Sequence, residues 1–154
     1  MVRQLTLNQT IQLIRELALS HLQIESVYFG DLWEFLNTDN KYPALFYSLT
    51  STNIQGKILT HSFSLFFFDL ELQGETNEND VLSDRLIVAQ DILSMMRNPT
   101  FDWEVSDSVS FKYYTETEVD FLSGIKMDVN VSFPYLSDRC ALPEDFNYLE
   151  WLAE

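Results

Sequence analysis

HSFSLFFFDLEL, residues 61–72, begins as an amphipathic strand and then stops alternating. Phe63, Leu65 and Phe67 share one face by the two-residue period of a strand, and Ser62 and Ser64 share the other. Phe66 and Phe68 then fall on that same polar face, so both faces of the strand need cover. At strand rise, residues 57–71 span about 50 Å, whereas a compact domain of this length is about 40 Å across. The strand must therefore curve strongly or project beyond its own domain. A projecting sheet needs a neighbour over Phe66 and Phe68, and two buried Phe side chains contribute about 3–6 kcal/mol to such a contact. The competing expectation is that the segment around Trp33 folds over that face within one chain.

Working outward, YPALFYSLTS precedes this strand, with Pro43 at its start, where no ladder donor is needed. TNIQG supplies the turn, so the two runs form a long β-hairpin. TLNQTIQLIRELALSHLQ reads as a first helix capped by Thr6 or Asn8, with Leu7, Ile11, Ile14, Ala18 and Leu22 at helical spacing. VYFGDLWEFLNTDN offers a short strand at Val27 to Phe29, followed by helical turns capped by Asp31 that carry Trp33 and Phe35. After the polar loop QGETNENDV, with Thr76 or Asn77 as cap, a second helix runs to Arg97 and stops at Asn98-Pro99. Its expected inner line is Leu82, Leu86, Ala89, Leu93 and Met96, widened by Val81, Val88, Ile92 and Met95. SVSFKYY and GIKMDVNVSF alternate as a second hairpin, with Gly124 a possible bend. The order helix, hairpin, helix, hairpin predicts an α+β fold: an antiparallel sheet built from two long β-hairpins, with two main helices packed on one face. Neither repeats nor a boundary divide it, so residues 1–154 are expected to form one domain, with 144–154 as a C-terminal arm.

Composition bounds the function. Apolar residues make up 46% and aromatic residues 14%, which argues against disorder. Nine Lys and Arg against 24 Asp and Glu leave a net charge of −15, and the cations are scattered singly. Without a basic stripe, tight nucleic-acid binding is disfavoured. An acidic wall suits DNA that must slide past without sticking, and it also serves plain solubility. The first ten residues lack a signal-peptide core, no apolar run reaches membrane-spanning length, and one Cys forms no internal disulfide. Folding in a reducing cytoplasm, with no membrane partner, is the expectation.

Chemistry is scarce. His21, His61 and Cys140 lack the paired spacing of zinc ligands. His21 is expected as an exposed ion-pair partner beside Glu25, and His61 is expected to point outward. Asp69 and Glu71 share a strand face but lead into an acid-rich loop without a base, which fits a solvated helix start better than acid–base work. Cys140 lies beside Arg139, yet no His stands with it, and a structural cysteine is the plainer reading. With no Gly-rich phosphate loop and no nucleophile elbow, neither catalytic, metal-binding nor cofactor-binding residues are expected, and the chain reads as a non-enzyme.

The first helix, FGDLW, YPALF at the start of a strand, and the strand ending FFFDLEL resemble the phage tail-terminator and neck-protein group. So do VLSDRLIVAQDILSMM after its polar loop and the hairpin that follows, and the resemblance spans roughly residues 8–143. It implies a virion structural protein, made in the host bacterial cytoplasm, that forms a homo-oligomeric ring at the head–tail junction or tail end. Implied partners are other copies in the ring and portal, adjacent neck-ring or tail-tube proteins, with DNA passing through but not tightly bound. The rival reading, from another class, is a small acidic binding module, such as an immunity-type inhibitor or adaptor, that captures a basic partner. Interface residues expected for the ring are Phe66, Phe68 and Trp33, together with Phe146, Tyr148, Leu149 and Trp151 of the tail EDFNYLEWLAE. Trp151 is the expected anchor in an adjacent subunit's pocket, and docking of the tail on its own domain is the alternative.

Overall fold

The computed structural model describes residues 5–31, 34–35, 41–70, 78–114, 122–134 and 152–153. The long strand of the opening stretch, β3 (Ile58–Leu70), runs through the middle of a six-stranded sheet. On one side it pairs antiparallel with β2 (Ala44–Gln55), on the other with β6 (Leu122–Pro134). The β3–β6 register runs without a break from Ile58 opposite Pro134 to Leu70 opposite Leu122. The far edge of β6 is shared end to end by β4 (Glu104–Val105) and β5 (Ser110–Tyr114). β1 (Ser26–Phe29) completes the opposite edge, lying parallel to β2 from Ser26 opposite Ala44 to Phe29 opposite Tyr47. The fold is α+β, with a mostly antiparallel sheet. Two features go beyond the expected pair of hairpins: β1 is parallel to its neighbour, and β4 precedes the second hairpin.

Helix α1 (Leu7–Ser20) opens on a capping box. The Gln9 amide donates to Thr6 Oγ1 at 3.1 Å, while the Thr6 amide donates to Gln9 Oε1 at 2.9 Å. Such reciprocal caps satisfy two otherwise unpaired donors and stabilise a helix by about 1 kcal/mol. Thr10, Ile14 and Ala18 form its buried line. Leu22, expected to extend that line, is 96% exposed. The reason is local: His21 is already extended, so Leu22 has left the helical register.

Helix α2 (Glu78–Met96) packs over β3 and β6, and α1 packs beside it over β1. Its deepest line is Val81, Arg85, Val88, Ala89, Ile92 and Met96. That is a correction, because Leu82, Leu86 and Leu93 were expected at the centre and are only half-buried, at its flank. Apolar residues lie on both sides of the true line, so periodicity alone does not fix the rotation. Beyond α2, Trp103 Nε1 donates to the Met96 carbonyl at 2.7 Å, satisfying one of the last free acceptors of the helix.

Between helices and sheet lies one core containing Phe63, Leu65 and Phe67 of β3, Leu45 and Tyr47 of β2, and Met127, Val129, Val131 and Phe133 of β6. The Tyr47 hydroxyl donates to the Ile11 carbonyl at 2.8 Å and ties the sheet to α1. Burial pushes that phenol up to about 12, with Arg15 acting in the opposite direction.

Candidate assembly surfaces

The sheet's second face carries the residues that set the opening question. Phe35, Ala44, Phe46 and Phe68 form a buried cluster, with Tyr28, Tyr42 and Phe66 packed against it. Phe35 lies 5.3 Å from Phe46 and 6.0 Å from Phe68, ring centre to ring centre. Its amide donates to the Asp31 carbonyl at 3.0 Å, one helical turn back, which holds the segment over the sheet. Phe68 is therefore covered within the chain. Phe66 is only half-buried, stacked on Phe68 at 5.7 Å and tilted against Phe46 at 5.5 Å and Tyr114 at 6.1 Å. Lys126 Nζ stands 5.7 Å from the Phe66 ring centre, within cation–π range. Toward the hairpin turn the face becomes polar, where Ser64 donates to Asp128 at 2.7 Å and Thr60 meets Ser132 at 3.0 Å. Trp33, Phe146, Tyr148, Leu149 and Trp151 lie outside the described residues, as do Glu71 and Cys140.

A second surface is the arm made by β2 and β3. β1 ends opposite Tyr47, where the Gly30 amide closes on the Tyr47 carbonyl at 3.3 Å. From residue 48 to residue 55 the outer edge of β2 has no backbone partner among the described residues. A bulge between Leu49 and Ser51 precedes a stretch in which every β2 side chain is exposed. Ile54 and Ile58, flanking the turn, are 56% and 51% exposed. Lys57 is the single charged residue from Tyr42 to Phe68, within a chain of net charge −15. Beneath the turn, Lys57, Ile58, Phe101, Trp103, Phe133 and Pro134 line an open groove of about 540 Å³.

The titratable candidates are structural. His21 Nε2 lies 3.0 Å from Asp91 Oδ2, so its carboxylate partner comes from α2 rather than from Glu25, and the ring is half-buried rather than exposed. His61 does not point outward: it is on the helix side and 4% exposed. Residue 61 shares the parity of Phe63 and Phe67, so the strand turns it inward with them. Its Nδ1 lies 2.9 Å from Thr52 Oγ1, its ring meets the edges of Phe63 and Phe133, and burial lowers its pKa. Arg85, 4% exposed, donates to the Gln23 carbonyl at 3.3 Å. Desolvation lowers its pKa against the opposing pull of Asp69 and Asp84. Among the described residues no group of three or more His, Cys, Asp or Glu is placed to hold a metal. None of their helices is long and apolar enough to cross a membrane.

Sequence reasoning missed Trp103 and the inward Arg85. Trp103 has a visible signal, an aromatic residue soon after a helix stop, while Arg85 has none, since arginine on an apolar line reads as a flank. No protein-family model and no curated protein matches the chain.

Proposed function

We propose that this protein is a virion structural subunit that assembles with copies of itself into a ring at a phage head–tail junction or tail end, in the manner of tail-terminator and neck proteins, and that it performs no catalysis. The observation that carries the reading is the β2–β3 arm. Among the described residues it has an open edge beyond Tyr47, exposed β2 side chains, exposed isoleucines at its turn, and almost no charge on a strongly acidic chain. An acidic body with a neutral arm favours contact through the arm and repels phosphate elsewhere, as a passage for DNA requires. The resemblance of the sequence to that group is in keeping with the same reading.

The test is the mass and shape of the purified protein over a wide range of concentration. Negative-stain images should contain annular particles of uniform diameter, and mass photometry should give one discrete oligomer. A particle that remains at 18.0 kDa throughout would overturn the self-assembling ring. A monomer that instead captures a basic protein tightly would favour the acidic binding module.

A further inference from the structure

We propose that the outer edge of β2 over residues 48–55 receives β5 of a second copy of this chain, so that the sheet continues from one subunit into the next. The inference rests on the ring reading and specifies how its subunits join.

Among the described residues the receiving edge is open, because β1 stops opposite Tyr47 and is followed by Gly30, whose φ is +146°. Gln55 and Ile58 face each other across the Gly56-Lys57 turn. The closing pair of a two-residue hairpin is hydrogen-bonded, and bonded and non-bonded pairs alternate along an antiparallel ladder. The amides and carbonyls of Thr52 and Ile54 therefore face outward. Exposed edges are ordinarily guarded by charged residues, proline or bulges. LTSTNIQ, residues 49–55, has neither charge nor proline. The bulge lies at the end nearest β1 and leaves residues 51–55 in regular register with β3.

The charge distribution places a contact between copies at the arm. Two copies with a net charge of −15 repel each other over most of their surface. From Tyr42 to Phe68 the arm's only charge is the cation Lys57, so a second acidic copy approaches there at least cost. β5 is the matching donor at the opposite edge of the sheet. It pairs with β6 alone among the described residues, and SFKYY contains a lysine and no acid. At strand rise β5 is about 17 Å long and the open stretch about 27 Å, so it fits alongside without meeting β1. β4 is shorter and carries Glu104. Pairing β2 with β5 is head-to-tail, the interface type from which rings close, whereas β2 on β2 gives a closed dimer.

Hydrogen exchange followed by mass spectrometry, on dilute and on assembled protein, tests this directly. Amides of residues 48–55 and 110–114 should both slow by roughly tenfold or more on assembly. Ile54→Pro removes an outward donor, and Ile54→Lys places a charge on the same edge through an exposed side chain. Both should abolish the oligomer while protection of residues 63–67 stays at the monomer level. Rings whose 48–55 segment exchanges as fast as in the monomer would overturn this inference and leave the ring standing. So would rings that persist unchanged in Ile54→Lys. A dimer protected at 48–55 but not at 110–114 would overturn both the β5 assignment and the ring, and a monomer at every concentration would do the same.

Discussion

Replacing Gly124 with Ala tests the tightest point of the sheet. Gly124 of β6 stands opposite Phe68 of β3. A Cβ placed there would lie 2.0 Å from the Phe67 carbonyl oxygen, 2.9 Å from the Phe67 carbonyl carbon and 2.8 Å from Phe68 Cδ1. Ordinary carbon–oxygen contacts begin near 3.3 Å, so the two backbones must separate by roughly 1.3 Å, a large fraction of the roughly 4.8 Å between neighbouring strands. No slack is available beside it, because Ser123, Ile125 and Phe67 are all fully buried. Overpacking typically costs about 1–3 kcal/mol. Since the nearest clash is with backbone rather than a flexible side chain, we place Gly124→Ala near the upper end, at about 3 kcal/mol. For a domain of this size that lowers the melting temperature by about 6–12 °C. Urea unfolding, followed through tryptophan fluorescence and far-UV circular dichroism at one fixed protein concentration, measures it. Gly56→Asn is the control: φ is +62°, nothing lies within 4 Å of the added Cβ, and Asn tolerates that conformation, so a few tenths of a kcal/mol are expected. A Gly124→Ala protein within about 0.5 kcal/mol of wild type would refute the close approach of β3 and β6.

Phe67→Ala should cost about 3–5 kcal/mol of subunit stability, because Phe67 is fully buried under the helices. Phe66→Ser on the half-buried face should cost clearly less by the same urea titration, and equal losses would contradict the two-face assignment. Ser123→Ala should stabilise by about 1 kcal/mol, since Ser123 Oγ is buried without a hydrogen-bond partner among the described residues; a loss of stability would mean that the hydroxyl is satisfied. His61 is held below its usual pKa of 6.5 by burial, so the folded state binds fewer protons than the unfolded one. Its contribution is complete above about pH 6.5 and is lost as pH falls through the lowered folded value. His61→Phe should flatten that decline relative to wild type in unfolding titrations, and parallel curves would count against it.

The sheet was legible because its strands announce themselves by parity. GIKMDVNVSF alternates cleanly, and β3 differs from it only where Phe66 and Phe68 interrupt the polar face. That interruption marks the aromatic cluster in the sequence itself, and Phe35, from the segment named as a possible cover, lies over Phe68. Helix rotation was less legible. On α2 the apolar residues spread so widely that Leu82–Leu86 and Val81–Arg85 are nearly equivalent lines, and the choice falls to packing against β6 and α1. Parity was available for His61 as well, but the alternation was assigned to the wrong face: residue 61 goes with Phe63 and Phe67, not with Ser62 and Ser64. The open edge of β2 had no sequence signal, because it depends on where β1 stops.

Salt separates the two functional readings, and the sign follows from where the charges lie. If ring contacts run through a nearly neutral arm, attraction between subunits comes from strand pairing and apolar burial, which salt leaves almost untouched. Repulsion between bodies of net charge −15 opposes them, and raising ionic strength from 0.01 M to 0.15 M shrinks its range from about 30 Å to about 8 Å. Self-association should therefore tighten with added salt, with the apparent dissociation constant falling severalfold in sedimentation or mass-photometry titrations. An acidic module that captures a basic partner has the opposite dependence, since there the charges supply the attraction and steer encounter. Lys57 at the tip of the arm and Lys112 of β5 are the ions whose effect runs against the trend, because each attracts the acidic body of a neighbour. Lys57→Gln should weaken association at low salt and matter little at high salt. Association that weakens steadily as salt rises, with Lys57→Gln indistinguishable from wild type, would mean that the contact is made by the acidic surface and not by the arm.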